Sequence, residues 1–320
     1  LLISLALFGI STAVAIFSPT IYFFIVCRLF QGIGAGGGMV LSYSIPADDY
    51  QGRELAKVMA VVGAMNGVAP ALAPTIGGVM ADSVGWRGIF VLLLAIGVGM
   101  FIWSRRMPES LPPQRRLKAK GLKEYLNAYA GLFRNGRFMI YVFIKAIGVG
   151  LLYAYISSAP FIIQDHYGFS ALDFGLIFGG NALAIAVGSI VVMKFRVLKQ
   201  GLVAGTMIMT AFALGEAWVM YHADHFWCYE LMAIPMLAGS GMVFSSANSL
   251  GMDVGSADAG TAGAILNVIK YIFAAVVAPI VGMGNIMHSS AITFVCVAAV
   301  AFILALFASK LKPLPEMVKK

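Results

Sequence analysis

Apolar stretches long enough to cross a bilayer, which takes about 17–25 residues, recur along the whole chain and are separated mostly by short polar connections. Ten are read, at Leu1–Phe17, Ile21–Ile45, Ala56–Met80, Arg87–Trp103, Phe138–Ile163, Leu172–Met193, Leu202–Tyr221, Phe226–Leu250, Ala259–Met283 and Ser290–Ser309. None alternates with the period of two expected of half-buried strands, so each is predicted as a helix. One stretch, Gly63–Phe90, stands out. It carries Pro70 and Pro74 together with Gly63, Gly67, Gly77 and Gly78. Such content would ruin a helix in water. A membrane helix tolerates it where neighbours cover the freed backbone. The stretch is therefore predicted as a kinked, small-faced helix packed closely on its partners.

Composition narrows the class. Hydrophobic residues make up 60% of the 320 and charged residues 11%, against about a quarter charged in an average soluble protein. The formal charge of +8 is not spread as a nucleic-acid footprint. It gathers in alternate connections: Arg53 and Lys57, then nine basic residues between Arg105 and Arg137, then Lys194, Arg196 and Lys199, then Lys310 to Lys320. The other connections are almost free of Lys and Arg, so the basic set is expected on the cytoplasmic side, with the C-terminus. The Gly251–Asp258 loop carries only acids and departs from this pattern. Cys27, Cys228 and Cys296 lie scattered in apolar runs and suggest neither a disulfide nor a metal site.

The basic linker divides the chain into a first half (1–103), the linker itself (104–137), a six-span second half (138–309) and a tail (310–320). Within the linker, Pro108, Pro112 and Pro113 stop the preceding helix, and Tyr125–Phe133 reads either as an amphipathic helix on the membrane surface or as solvated chain. Ala73-Pro74-Thr75-Ile76-Gly77 matches Ala278-Pro279-Ile280-Val281-Gly282 at an offset of 205 residues, and Gly34 and Gly36 match Gly239 and Gly241 at the same offset. This suggests two homologous halves. A six-span second half then asks for two more spans in the first, and the opening at Leu1, inside an apolar run, reads as a truncation.

Polar residues within the spans are the candidate chemistry. Arg28 and Gln31 share a face in the second span, and Arg28 is expected either to face a polar cavity or to snorkel to the surface. Asn66 is either structural glue or a ligand contact. Lys145 and Glu216 are each either functional or snorkelling near a span end. Lys270 lies nearer mid-span, and Asn181, Asn248 and Asn267 sit at similar depth. Gly32, Gly34 and Gly37 fit GxGxxG, but no strand precedes them, so the dinucleotide reading is rejected. The pairs Gly32–Gly36 and Gly34–Gly38 suit close helix packing instead. His222, Asp224 and His225 read as a polar loop rather than a metal site. No phosphate loop, HExxH or GxSxG is present, so neither catalysis nor a cofactor is expected.

Together these residues resemble the major facilitator superfamily, in particular its drug:proton antiporters of the Bcr/CflA type. Arg28-Leu-Phe-Gln31-Gly32-Ile-Gly34-Ala is similar to the fourth-helix motif RxxQGxGA. Gly67, Pro70, Pro74, Gly77 and Gly78 resemble the fifth-helix antiporter motif, followed by Trp86-Arg87. Ser158-Ala-Pro160 through Phe174-Gly175 resembles the seventh-to-eighth helix region. The resemblance implies an all-α polytopic fold with helices three to twelve of twelve present. It also implies alternating access of two helical halves in a bacterial inner membrane, and export of small amphipathic or toxic compounds in exchange for protons. Arg28 would tune a nearby acid. Glu216 is the retained candidate for the proton carrier, because the first-half spans hold no interior Asp or Glu. The second-half aromatics, such as Tyr153, Tyr155 and Phe178, suit an adaptable pocket. Transport of a native metabolite and a non-transporting sensor or scaffold are the alternatives. Partners are then a small molecule, protons and lipid, and a monomer is expected.

Overall fold

The computed structural model describes residues 1–50, 52–107, 122–223 and 225–311, with the backbone alone described at some helical positions between 43 and 72 and at 122–125, 257 and 259. Every apolar stretch is helical. The helices are α1 (Leu2–Ile16), α2 (Ile21–Asp49), α3 (Gly52–Ser104), α4 (Leu122–Arg134), α5 (Gly136–Pro160), α6 (Ala171–Val191), α7 (Leu198–His222), α8 (Phe226–Val254), α9 (Ala259–Ile280) and α10 (Ile286–Lys310). Eight helical spans among the described residues are long and apolar enough to cross a membrane, while α1 is apolar but shorter. Large apolar side chains such as Ile3, Leu29, Val98, Leu183, Trp227 and Phe307 are exposed. That is the surface a lipid solvent allows and water does not.

The sequence places a connection at Ala81–Trp86, between two spans. The structure instead has one helical run with a single non-helical residue, Gly85, at φ 69° and ψ 178°. Lacking a Cβ, glycine enters this region without strain, so one residue suffices to break two helices apart. Elsewhere side chains set the boundaries. Thr20, Asn135 and Asn285 each accept a hydrogen bond from a backbone amide in the first turn of α2, α5 and α10. Pro160 ends α5, and a π-helical turn follows at Phe161–His166. The α4 helix covers the Tyr125–Phe133 stretch. It leaves Leu126 and Phe133 exposed, while Leu132 packs on a core of Phe138, Val142, Ala262, Ile265 and Leu266. Pro108, Pro112 and Pro113 lie outside the described residues.

The chain forms two compact units, 1–119 with 171–176, and 120–170 with 177–320. In the first, α1 packs against both α2 and α3. In the second, α5 packs on α8, α9 and α10, and α7 packs on α8 and α10.

Glycines permit the closest approaches. A Cβ at Gly34 would lie 2.6 Å from Phe8 N and 2.7 Å from Ser4 O, and one at Gly37 would strike the Ser4 side chain. The contact between α1 and α2 thus runs through Gly34 and Gly37, three residues apart. Gly32, Gly36 and Gly38 face open space, which corrects the expected Gly32–Gly36 and Gly34–Gly38 pairing. In the antiporter-like stretch the same sorting holds. Gly78 meets the carbonyl of Ala171, and Gly175 lies against Pro74 and Thr75, whose hydroxyl donates to Gly175 O at 3.0 Å, all within the first unit. Gly77 has nothing within 4 Å of a Cβ position, so it is not a packing residue in this structure. The side chains of Asn66 and Pro70, and the surroundings of Gly63 and Gly67, lie outside the described residues.

Candidate functional site

Three polar clusters lie among apolar helices. In the first unit, Arg28 Nη1 donates to Gln31 Oε1 at 2.5 Å, Gln31 Nε2 donates to Thr12 Oγ1 at 2.7 Å, and Thr12 donates to Phe8 O at 2.6 Å. The spacing of three brings Arg28 and Gln31 onto one side of α2. Gln31 and Thr12 are buried, whereas Arg28 is exposed and lies 5.6 Å from the Phe90 ring centroid. Beside it Phe24, Trp86 and Phe90 stack edge-to-face, and Arg87 covers Trp86 and donates to Ile16 O. Each side chain in this chain of bonds has a hydrogen-bond partner. No acid is among Arg28's partners in the described residues.

In the second unit the acids are buried. Glu216, on α7, is fully buried, and neither carboxylate oxygen has a hydrogen-bond partner among the described residues. Snorkelling is thereby excluded for it. Glu230, on α8, is 8% exposed with Oε2 unpartnered, and the two acids lie close enough for their charges to act on each other. Tyr155, Asn181 and Tyr229 complete the surroundings. Asn181 Nδ2 donates to Tyr155 Oη at 2.6 Å, Asn181 also engages Glu230, and the Tyr229 hydroxyl is buried without a partner. Tyr155 stacks on Phe178. Leaving buried polar atoms unsatisfied costs about 1–3 kcal/mol each, more for charged groups. Here several such atoms stand together.

The third cluster is basic. Lys145, on α5, is 1% exposed and donates to Asn248 Oδ1 on α8 at 2.8 Å and to Asn267 Oδ1 on α9 at 3.4 Å. It does not snorkel either. Lys270, one turn beyond Asn267, is 8% exposed. Among the described residues its ammonium has only aromatic partners, at 5.5 Å from the Phe244 centroid and 4.6 Å from that of Tyr271. Phe244 also lies 5.3 Å from the Lys145 ammonium. Tyr153 packs edge-on against Tyr271. Cation–π contacts contribute about 0.5–2 kcal/mol, less than the several kcal/mol that a buried ammonium loses in hydration.

The sequence candidates thus separate. Arg28 joins Gln31, Glu216 joins Glu230, and Lys270 joins Lys145. Glu230 and Thr12 went unread from sequence. Glu230 stands four residues into α8 and Glu216 six residues before the end of α7. A tight antiparallel hairpin sets those positions at one depth, and that signal was available. His222 stacks on Trp218 and its ring meets the carbonyl of Trp218, while Asp224 lies outside the described residues. No cluster of three or more metal-ligating side chains occurs among the described residues.

Apolar helices of spanning length in two units, with charged groups held inside their packing, define a multi-pass membrane protein. The family model of the Major Facilitator Superfamily matches residues 1–279, and the chain belongs to that family. It is 32% identical over 309 residues to the uncharacterized MFS-type transporter YdgK of Bacillus subtilis, covering 91% of this chain and 76% of that protein. It is 26% identical over 289 residues to multidrug resistance protein D of Escherichia coli, covering 88% and 71%. A chloramphenicol resistance protein of Pseudomonas aeruginosa is 29% identical over 208 residues, covering 62% and 48%. Among solved structures, a bacterial homologue of the human lysosomal transporter Spinster superposes with a TM-score of 0.77 at 15% identity, over 97% of this chain and 81% of that one. The xylose transporter XylE of E. coli gives 0.70 at 16%, over 98% and 80%. At such identities these structures share the fold. The family and fold expected from the sequence are borne out.

Proposed function

We propose that this transporter exports small amphipathic compounds across the bacterial inner membrane in exchange for protons, by alternating access. The supporting observation is Glu216. A carboxylate buried among apolar helices, with no hydrogen-bond donor and no cation acting on it among the described residues, is discharged by taking up a proton. Glu230 beside it makes a two-carboxylate site. Such intramembrane acids are characteristic of proton relays in transporters. The names of the relatives, multidrug resistance protein D, multidrug resistance protein MdtL and chloramphenicol resistance protein, supply the drug-export half of the reading.

The test is flux in proteoliposomes with an imposed pH gradient and a panel of drugs. Gradient-driven transport that vanishes in Glu216→Gln and returns in part in Glu216→Asp is the expected result. Gradient-driven transport at the wild-type rate in Glu216→Gln would remove the proton role from this site. Absence of flux for any compound in well-inserted protein would favour a non-transporting role.

A further inference from the structure

The lysine cluster of α5, α8 and α9 is not used by that coupling scheme. We infer that Lys145, Lys270, Asn248, Asn267 and Phe244 form the binding site for a small organic anion, a carboxylate or similar group carried on a flat apolar body. The inference deepens the export reading by naming its substrate class, and it rests on that reading only for the direction of transport.

Four observations carry it. First, two ammonium groups are held inside one helix packing, and no carboxylate acts on either of them among the described residues. A structural buried lysine is ordinarily paired or hydrogen-bonded. Second, the two are not equivalent. Lys145 is anchored by two amide oxygens, whereas Lys270 has three N–H donors and, among the described residues, neither a hydrogen bond nor an ion pair, only aromatic faces. Those donors are available to an incoming acceptor. Third, the two ammoniums share Phe244, whose ring centroid lies 5.3 Å from Lys145 Nζ and 5.5 Å from Lys270 Nζ. It ties the two lysines into one cluster and offers a flat surface to a ligand ring. Fourth, the rim is open. Phe244 and Tyr271 are 38% and 43% exposed, and Asn267 is exposed too, so a ligand reaches the lysines without unpacking the unit. The asymmetry assigns the roles. Lys145, held by its amides, supplies fixed positive potential. Lys270 makes the direct contact with the anion, and Phe244 and Tyr271 pack on its apolar part.

Equilibrium dialysis of radiolabelled benzoate against the purified protein tests this without any pH gradient. Benzamide serves as the neutral isostere and chloride at matched ionic strength as the competitor. Benzoate is expected to bind in clear preference to benzamide and to resist chloride. Lys270→Gln is expected to weaken benzoate by about thirtyfold or more, with benzamide unchanged, and Lys270→Arg to restore most of it. Equal binding of the two ligands, no benzoate binding, displacement by chloride, or unaltered benzoate binding in Lys270→Gln would each overturn the proposal. Should Lys270→Gln fail to fold by size-exclusion chromatography, the wild-type preference for benzoate over benzamide decides alone. Benzoate binding retained in a protein that shows no gradient-driven flux would refute proton-coupled export and leave the anion site standing.

Discussion

Two helix pairs, one in each unit, are built on the same glycine contact and use it for opposite ends. In α1–α2, Gly34 lies between Ser4 O and Phe8 N. In α7–α8, Gly239 lies between Gly205 O and Met209 N. The two glycines are the repeat partners 205 residues apart. Both pairs reach backbone-to-backbone distance because no Cβ intervenes. Their polar content then diverges. The first pair is filled by Arg28, Gln31 and Thr12, whose hydrogen bonds end on a carbonyl. The second holds Glu216 and Glu230, with three of their carboxylate oxygens unpartnered. One scaffold thus carries a satisfied network, which rigidifies, and an unsatisfied one, which stores free energy and can react.

The comparison can be broken most sharply at the acids. Replacing Glu216 by Leu removes two unsatisfied buried oxygens. We expect the variant to be more stable, by about 1–3 kcal/mol, while losing gradient-driven transport. Thermal unfolding in detergent, alongside proteoliposome flux, measures both. A destabilised Glu216→Leu would show that the carboxylate is structurally satisfied after all. The shared glycine contact comes next. Gly34→Leu and Gly239→Leu place a side chain against backbone that cannot yield, with an expected loss at the upper end of about 1–3 kcal/mol. Gly32→Leu and Gly36→Leu, at open positions, should unfold like the wild type. Equal loss at all four would mean the spacing, not the contact, is what matters. Gln31→Ala is a smaller perturbation, about 1 kcal/mol in the same melt, because an interhelical hydrogen bond in a membrane contributes no more than that on average. A change of sign relative to Glu216→Leu is the point of the measurement. Smallest of all is Gly77→Ala, expected to be silent in stability and flux, whereas Gly78→Ala meets the Ala171 carbonyl and should impair both.

Much of the fold was legible because its signal is compositional. Ten apolar stretches of spanning length and their basic connections survive any error in detail. Boundaries were less so. The Ala81–Trp86 connection reads as a loop since it carries Asp82, Ser83 and Gly85, yet one left-handed glycine separates the arms of α3. The small-residue pattern was visible, but which glycine touches a neighbour depends on helix rotation, and sequence does not give rotation. Hence Gly77 reads like Gly78 and Gly32 like Gly34 in the sequence, although of these only Gly78 and Gly34 touch a neighbour. For the site, single charged residues within spans stood out individually. Their grouping did not, because Lys145 and Lys270 are brought together by three helices, and Glu230 is hidden near a helix start where acids are commonplace.

The π-helical turn after Pro160 has a consequence best put as phase. One residue more per turn than the α-helix amounts to an insertion that the wider turn absorbs, holding everything downstream about 100° back from where an uninterrupted α-helix would carry it. At the end of that turn stands Tyr167, which packs against Phe226 and Tyr229, the neighbour in sequence of Glu230. Deleting a single residue such as Ile162 would wind the segment back into α-helical register. Tyr167 would then keep its face toward Tyr229, whereas the undeleted chain wound as an uninterrupted α-helix would carry it about 100° away. The proline acts as a phase shifter, setting by one residue of slack which side chain arrives beside the acids.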